Sequence, residues 1–351
     1  KTKPTQHSVK QLLEFGVQPD VLVCRTEHPL PSNVRTKLAR FCNVALDAVI
    51  ESIDADTIYD VPLLMQEERF DEVVLKKLGM DGGETEANLN EWKDFLRRYK
   101  NPKRHVRIGL VGKYVELKDS YKSIAEALDH AGALLEAHID VDWIHSEQLN
   151  KENVDTRLAG LHGILVAPGF GSRGIDGKLL AIGYAREQQI PFFGICYGMH
   201  AAVIEYSRNV LGIQEASSTE IHKDTPDPVI TLLQDQHDVS EKGGTMRLGG
   251  WPCRFDEAST CFKEYGMTDV SERHRHRYEF NNDYRERLQE AGLRISGTSP
   301  DGELVEVVEV ENHPWFVACQ YHPEFQSKPF AAHPLFKGFV SASLERRSRG
   351  V

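Results

Sequence analysis

Phe192-Phe193-Gly194-Ile195-Cys196-Tyr197-Gly198-Met199-His200-Ala201-Ala202 reads as an apolar strand that enters Gly-x-Cys-x-Gly and leaves as an apolar helix. Strand, tight turn carrying a thiol, then helix is the cysteine form of a nucleophile elbow. Such a turn needs strained backbone at the nucleophile. Glycine on either side, here Gly194 and Gly198, leaves no side chain to clash as strand and helix pack closely. Cys196 is then expected at a helix N-terminus, where partial positive charge favours an anionic sulfur. The N–H of Tyr197 is expected to be free to help hold an oxyanion.

A thiol nucleophile needs a base, and the base needs an orienter. Both are offered by Ala318-Cys319-Gln320-Tyr321-His322-Pro323-Glu324-Phe325, which follows the apolar Trp315-Phe316-Val317. In an extended segment residues i and i+2 share a side, so His322 and Glu324 are expected to project together, stiffened by Pro323. Glu324 would hold one ring nitrogen and leave the other for Cys196. A third piece, Ile164-Leu165-Val166-Ala167-Pro168-Gly169-Phe170-Gly171-Ser172-Arg173-Gly174, is a strand running into a glycine-rich turn. Such turns expose backbone N–H groups to an anion.

Outward from these pieces the pattern alternates between strand and helix, the mark of an α/β chain. Before the elbow, strands are expected at 20–24, 48–52, 106–111, 141–144, 163–167 and 191–195. Helices are expected at 7–15, at 33–42 with Ser32 as cap, at 60–78, 89–99, 119–137 and 178–188, and after the elbow at 199–207. Beyond residue 225 the chain turns strand-rich, at 229–233, 303–310 and 315–319. The glycines and polar residues of 79–105 suggest a linker, so two domains are expected, 1–100 and 101–351.

The chain has 351 residues, 40% hydrophobic and 27% charged, the composition of an ordinary globular protein. It has no apolar run long enough to span a membrane, and its polar, basic first ten residues are not a signal peptide. The net charge of −11, most of it after residue 105, repels nucleic-acid backbones and argues against nucleic-acid partners. Six cysteines without CxxC spacing disfavour zinc and a disulfide framework, and point to a reducing, cytoplasmic setting. The opening Lys1-Thr2-Lys3-Pro4, without Met and inside a charged motif, is expected to be an interior point of a longer chain.

Elbow, glycine-rich loop and His-Pro-Glu, in this order, resemble the class I, triad-type glutamine amidotransferases. The flanking segments narrow the resemblance to the CTP synthase family. They are Lys1 to Ser8 (KTKPTQHS), Ala87 to Trp92 (ANLNEW), Val111 to Leu117 (VGKYVEL), Gly243 to Gly249 (GGTMRLG), Arg273 to Glu279 (RHRHRYE) and His313 to Cys319 (HPWFVAC). The resemblance implies a mixed, mostly parallel sheet flanked by helices, preceded by the end of a P-loop-like α/β synthetase domain. It implies Cys196 as nucleophile, His322 as base and Glu324 as its orienter, with the N–H groups of Gly169 and Tyr197 as oxyanion hole. Gly169, Phe170, His200, Glu220 and Arg277 would bind glutamine: the guanidinium suits an α-carboxylate and the carboxylate an α-ammonium. Lys1, Lys3, Gln6 and Lys37 would meet UTP, or CTP as feedback inhibitor, and Arg173 the activator GTP.

The resemblance further implies ATP with Mg2+ as cosubstrate, a homotetramer when the chain is whole, filaments in some members, and no metal held by this stretch. The P-loop Gly-x-x-x-x-Gly-Lys-Ser/Thr does not occur in it, so glutamine hydrolysis is the most that these residues alone are expected to perform. Two departures stand out. Where the family's elbow has Leu and Gln, this chain has Tyr197 and His200, and where its oxyanion loop begins Pro-Gly-Gly, this one reads Ala167-Pro168-Gly169. His200 could still donate a hydrogen bond to glutamine, at a different reach and with a charge that depends on pH. Two other readings stay open: another triad amidotransferase or γ-glutamyl hydrolase, and an assembly module with a weakened glutamine pocket.

Overall fold

The computed structural model describes residues 2–80, 87–232 and 246–350. The chain falls into two compact units, Lys1–Leu96 and Arg97–Val351.

In the first unit the strands Leu22–Arg25 and Val49–Ser52 pair in parallel. The helices Lys3–Glu14 and Ser32–Cys42 contribute Val9, Leu38, Ala39 and Cys42 to a small core with Leu22 and Val49. The expected cap at Ser32 is not one. Pro31 takes the cap position with extended backbone, and no side chain caps the helix. The single helix expected over 60–78 is two, Val61–Glu67 and Phe70–Lys77, because Arg69 between them turns left-handed (φ +55°). Arg35 draws this region together by bridging Glu51 at 3.0 Å and Glu68 at 2.8 Å.

The second unit is built on a nine-stranded mixed sheet. From one edge the order is Asp269–His276, Arg247–Phe255, Leu293–Thr298, Val305–Val310, Phe316–Cys319, Phe192–Ile195, Gly163–Val166, Arg104–Gly112 and Ala137–His145. The last five run parallel and the rest pair antiparallel. Helices cover both faces of the parallel part, which is why its central strands Phe316–Cys319, Phe192–Ile195 and Gly163–Val166 read as unbroken apolar runs. On one face pack Ile175–Glu187 and Tyr197–Asn209, through Ala181, Ile182, Ala202 and Val203. On the other pack Lys122–Leu134 and Pro334–Ser348, through Ile124, Leu128, Phe336 and Phe339. The elbow strand is locked from both sides. Phe192 stacks on Phe316 at 4.3 Å, and Phe193 meets Trp315 and Phe336 edge-on. A separate three-stranded sheet, Tyr278–Phe280, Asp227–Leu232 and Ala216–Ser218, stands beside this core.

Candidate active site

The central strand Phe192–Ile195 ends at Cys196, and the helix Tyr197–Asn209 starts on the next residue. Cys196 has φ +53° and ψ −103°, strained for a residue with a side chain. Two close approaches hold it there. A Cβ on Gly198 would stand 2.4 Å from the Val166 carbonyl oxygen, and one on Gly194 would stand 2.9 Å from both Ala318 Cβ and the Gly198 carbonyl oxygen. Only glycine fits at either place. The Cys196 N–H donates to the Cys319 carbonyl at 2.7 Å, tying the turn to the strand that leads to His322.

His322 and Glu324 meet as expected, by a different backbone route. The segment Pro323–Phe325 is a 3-10 turn with His322 at its start, not an extended strand. The turn brings Glu324 Oε1 within 2.7 Å of His322 Nδ1. Both residues are buried, and the His322 N–H donates to the Arg273 carbonyl at 2.7 Å. Its Nε2 is buried without a formed hydrogen bond. Burial works against the imidazolium, but the adjoining Cys196 sulfur and then the Glu324 carboxylate outweigh it, and the pKa is raised to about 10.

A cavity of about 600 Å³ opens over Cys196. It is lined by Gly169, Phe170, Tyr197, His200, Glu220, Arg277, His322 and Glu324, so the expected triad, oxyanion and glutamine residues share one pocket. Among the described residues, no acceptor pairs with the N–H of Gly169 or of Tyr197. Glu220 accepts from the Gly171 N–H at 2.8 Å, and burial raises its pKa. Arg277 is half-buried, with a buried Nε that has no partner. Arg173 is not in the lining: its guanidinium pairs with Glu147 at 3.2 Å and lies over the Tyr114 ring.

Lys3 and Lys37 are exposed in the first unit, and Lys37 lies over the Phe41 ring. Gln6 is half-buried and bonds Thr2. Lys1 lies outside the described residues. Among the described residues, no group of three or more His, Cys, Asp or Glu is placed to hold a metal ion. No helix there is long and apolar enough to cross a membrane.

Three features of the site were not visible in the sequence. Gln320 is fully buried beside the nucleophile, with its Nε2 4.0 Å from Cys196 Sγ and its Oε1 2.8 Å from His200 Nε2. His200 is thereby held as a donor to Gln320, and burial pushes its pKa down to about 4, so it is neutral at physiological pH. Lys178 is fully buried under the loop, bonded to the Ala167 carbonyl at 2.6 Å, and Lys113 bonds the Phe170 carbonyl. The Tyr197 hydroxyl donates to the Gly171 carbonyl, which explains why a tyrosine fits where an aliphatic residue is usual. The third feature is a buried polar hairpin. Its strand Asp269–His276 turns Glu272, His274 and His276 inward and Arg273 and Arg275 outward. There Arg247 pairs with Glu279 and Glu306, and His274 with Glu306.

The family model described as Glutamine amidotransferase class-I matches residues 116–342, and the one described as CTP synthase N-terminus matches residues 1–80. The chain is similar to CTP synthase of Flavobacterium psychrophilum, 57% identical over 349 residues, which are 99% of this chain and 65% of the relative. It is likewise 54% identical to CTP synthase of Carboxydothermus hydrogenoformans over 345 residues, 98% of this chain and 64% of that protein. The chain thus spans just under two thirds of the length of these curated relatives. A solved glutaminase domain of Trypanosoma brucei CTPS with bound acivicin is 38% identical and superposes with a TM-score of 0.65, over 68% of this chain and 94% of that one. By these matches the chain belongs to the class-I glutamine amidotransferases, in the branch formed by the CTP synthases.

Proposed function

We propose that this chain hydrolyses glutamine at Cys196 and delivers the ammonia to a nucleotide-aminating site, as part of a CTP synthase. The observation that carries the reading is the strained Cys196 (φ +53°) sharing one pocket with a His322–Glu324 pair already joined at 2.7 Å. The Cys196 sulfur attacks the side-chain carboxamide carbon of glutamine, and His322 takes up the thiol proton. The carbonyl oxygen becomes an oxyanion held by the free N–H groups of Gly169 and Tyr197. The carbon–nitrogen bond then breaks, with the His322 proton passing to the departing ammonia, and a glutamyl thioester remains. Water, deprotonated by His322, attacks the thioester, giving glutamate and the free thiol. Glu324 keeps the imidazole oriented and stabilises its cationic form.

Arg277 would meet the α-carboxylate of glutamine and Glu220 its α-ammonium, with Phe170 and the neutral His200 shaping the remainder. Membership of the CTP synthases implies ATP, Mg2+ and GTP. In the whole protein ATP would phosphorylate the uracil O4 of UTP, and ammonia would displace the phosphate. Lys3 and Lys37 are exposed, so they are available to a nucleotide triphosphate. Lys1 and Gln6 complete this UTP or CTP assignment, Arg173 is assigned to GTP, and a cytoplasmic homotetramer able to form filaments is the expected setting. The test is ammonia release from glutamine by the chain and by Cys196→Ala, each with and without GTP. Release that vanishes in Cys196→Ala supports the reading; release that persists there refutes it.

A further inference from the structure

One buried charge has no part in the steps above. Lys178 lies on the helix Ile175–Glu187, is 0% exposed, and makes a single hydrogen bond, 2.6 Å to the Ala167 carbonyl. Its ammonium stands 4.8 Å from the centroid of the Tyr197 ring and 3.5 Å from where a Cβ on Gly169 would be. Among the described residues it has no carboxylate in ion-pair reach, and the ionisable groups acting on it are Lys113, which repels it, and the Cys196 thiol. Burying an ammonium is expensive unless an anion or several acceptors compensate it. An apolar side chain of similar length would fill the space without that cost. Among the described residues, the acidic group that acts on it is the Cys196 thiol. Lys178 also lies directly beneath the loop whose Gly169 N–H is free, and Lys113 bonds the Phe170 carbonyl on the far side of that residue. The loop is thus pinned on both sides of Gly169.

We propose that Lys178 is a positioning residue for the nucleophile turn, and that its charge, more than its hydrogen bond, supplies a fixed positive field that stabilises anionic sulfur and the oxyanion beside Gly169 and Tyr197. This rests on the reading of Cys196 as the nucleophile. An ammonium held in place by the fold acts strongly on negative charge that develops in a site closed to water. Burial and the repulsion from Lys113 push the Lys178 pKa down to about 7, while Cys196 opposes that shift. The ammonium is therefore favoured most when the sulfur is negative.

The experiment compares wild type, Lys178→Met, Lys178→Gln and Cys196→Ala in two assays. One is alkylation at Cys196 by iodoacetamide and by iodoacetate at pH 7, followed by peptide mass spectrometry. The other is glutamine hydrolysis. Loss of the field is expected to slow iodoacetamide about tenfold, the effect of about one unit in thiol ionisation, and to slow the anionic iodoacetate more. The glutamine kcat is expected to fall at least as far with KM within about threefold. The melting temperature of Lys178→Met should equal or exceed that of wild type. Lys178→Gln keeps a donor for Ala167 without the charge, and should behave like Lys178→Met. Alkylation within twofold of wild type in Lys178→Met overturns the proposal, as does wild-type behaviour of Lys178→Gln. Equal slowing of both reagents together with a lowered melting temperature shows a merely structural role and also overturns it. If wild type alkylates readily but releases no ammonia, while Lys178→Met still slows alkylation, the glutaminase assignment fails and the Lys178 inference stands.

Discussion

Gly198→Ala tests how tightly the elbow is built. The added Cβ would lie 2.4 Å from the Val166 carbonyl oxygen, where ordinary contact begins near 3.4 Å, so helix and strand must separate by about 1 Å. The obstacle is backbone in a central strand, which cannot rotate away as a flexible side chain can. Overpacking of this kind costs about 1–3 kcal/mol. For a unit of this size that is about 3–9 °C in melting temperature, at about 3 °C per kcal/mol. The loss of activity should be larger than the loss of stability suggests. The helix beginning at Tyr197 carries the Cys196 turn with it, and a misplacement of about 1 Å costs on the order of a hundredfold in rate. Thermal melting and steady-state ammonia release on the same preparation give both numbers. A variant that melts within a degree of wild type and keeps more than half its kcat would refute the claim that this contact sets the nucleophile geometry.

Glu324→Gln keeps a side chain of the same shape but removes the charge bonded to His322 at 2.7 Å. The glutamine kcat should fall by about a thousandfold, with a far smaller change in melting temperature. Arg277→Met removes the cation expected to meet the substrate carboxylate. It should raise KM for glutamine by about 10- to 100-fold and leave kcat nearly unchanged, as steady-state kinetics will show. His200, His130 and His313 all have pKa values pushed down to about 4, chiefly by burial. At each of these histidines the unfolded chain binds more protons than the folded one between about pH 4 and the ordinary histidine value near 6.5, while Glu279, raised by burial to about 8, and Asp129, raised by burial to about 6, act in the opposite sense. Stability from the histidines is complete above that range and is lost as pH falls through it, by up to about 1.4 kcal/mol per pH unit for each histidine. Urea unfolding of wild type and His200→Gln from pH 4.5 to 7.5 isolates one such contribution: stability should rise less with pH in the variant, and an unchanged slope counts against a buried neutral His200.

The parts of the site legible in the sequence are those whose chemistry and backbone demand coincide. Gly194, Cys196 and Gly198 declared a tight strand–helix junction because nothing larger than glycine fits against Ala318 and Val166. The His322–Glu324 pairing was legible from spacing, although a 3-10 turn, not an extended segment, produces it. Arg69 broke a helix that its neighbours favour, because a left-handed residue without glycine carries no compositional signal. The strand Asp269–His276 carried no strand signal because its buried side is polar: Glu272, His274 and His276 point inward, an inversion of the usual alternation. Lys178 and Gln320 look like surface residues in sequence, and only the fold seals them beside Cys196. The departure at His200 is likewise intelligible only in the fold, where burial keeps it neutral and Gln320 accepts its hydrogen bond.

The most direct measurement of the central claim is to quench the chain with acid while it is turning over glutamine and to map its peptides by mass spectrometry. The account predicts a glutamyl adduct on the peptide containing Cys196, absent in Cys196→Ala and more abundant when water attack is slowed. Ammonia release without any such adduct, or an adduct on a different cysteine, would contradict it.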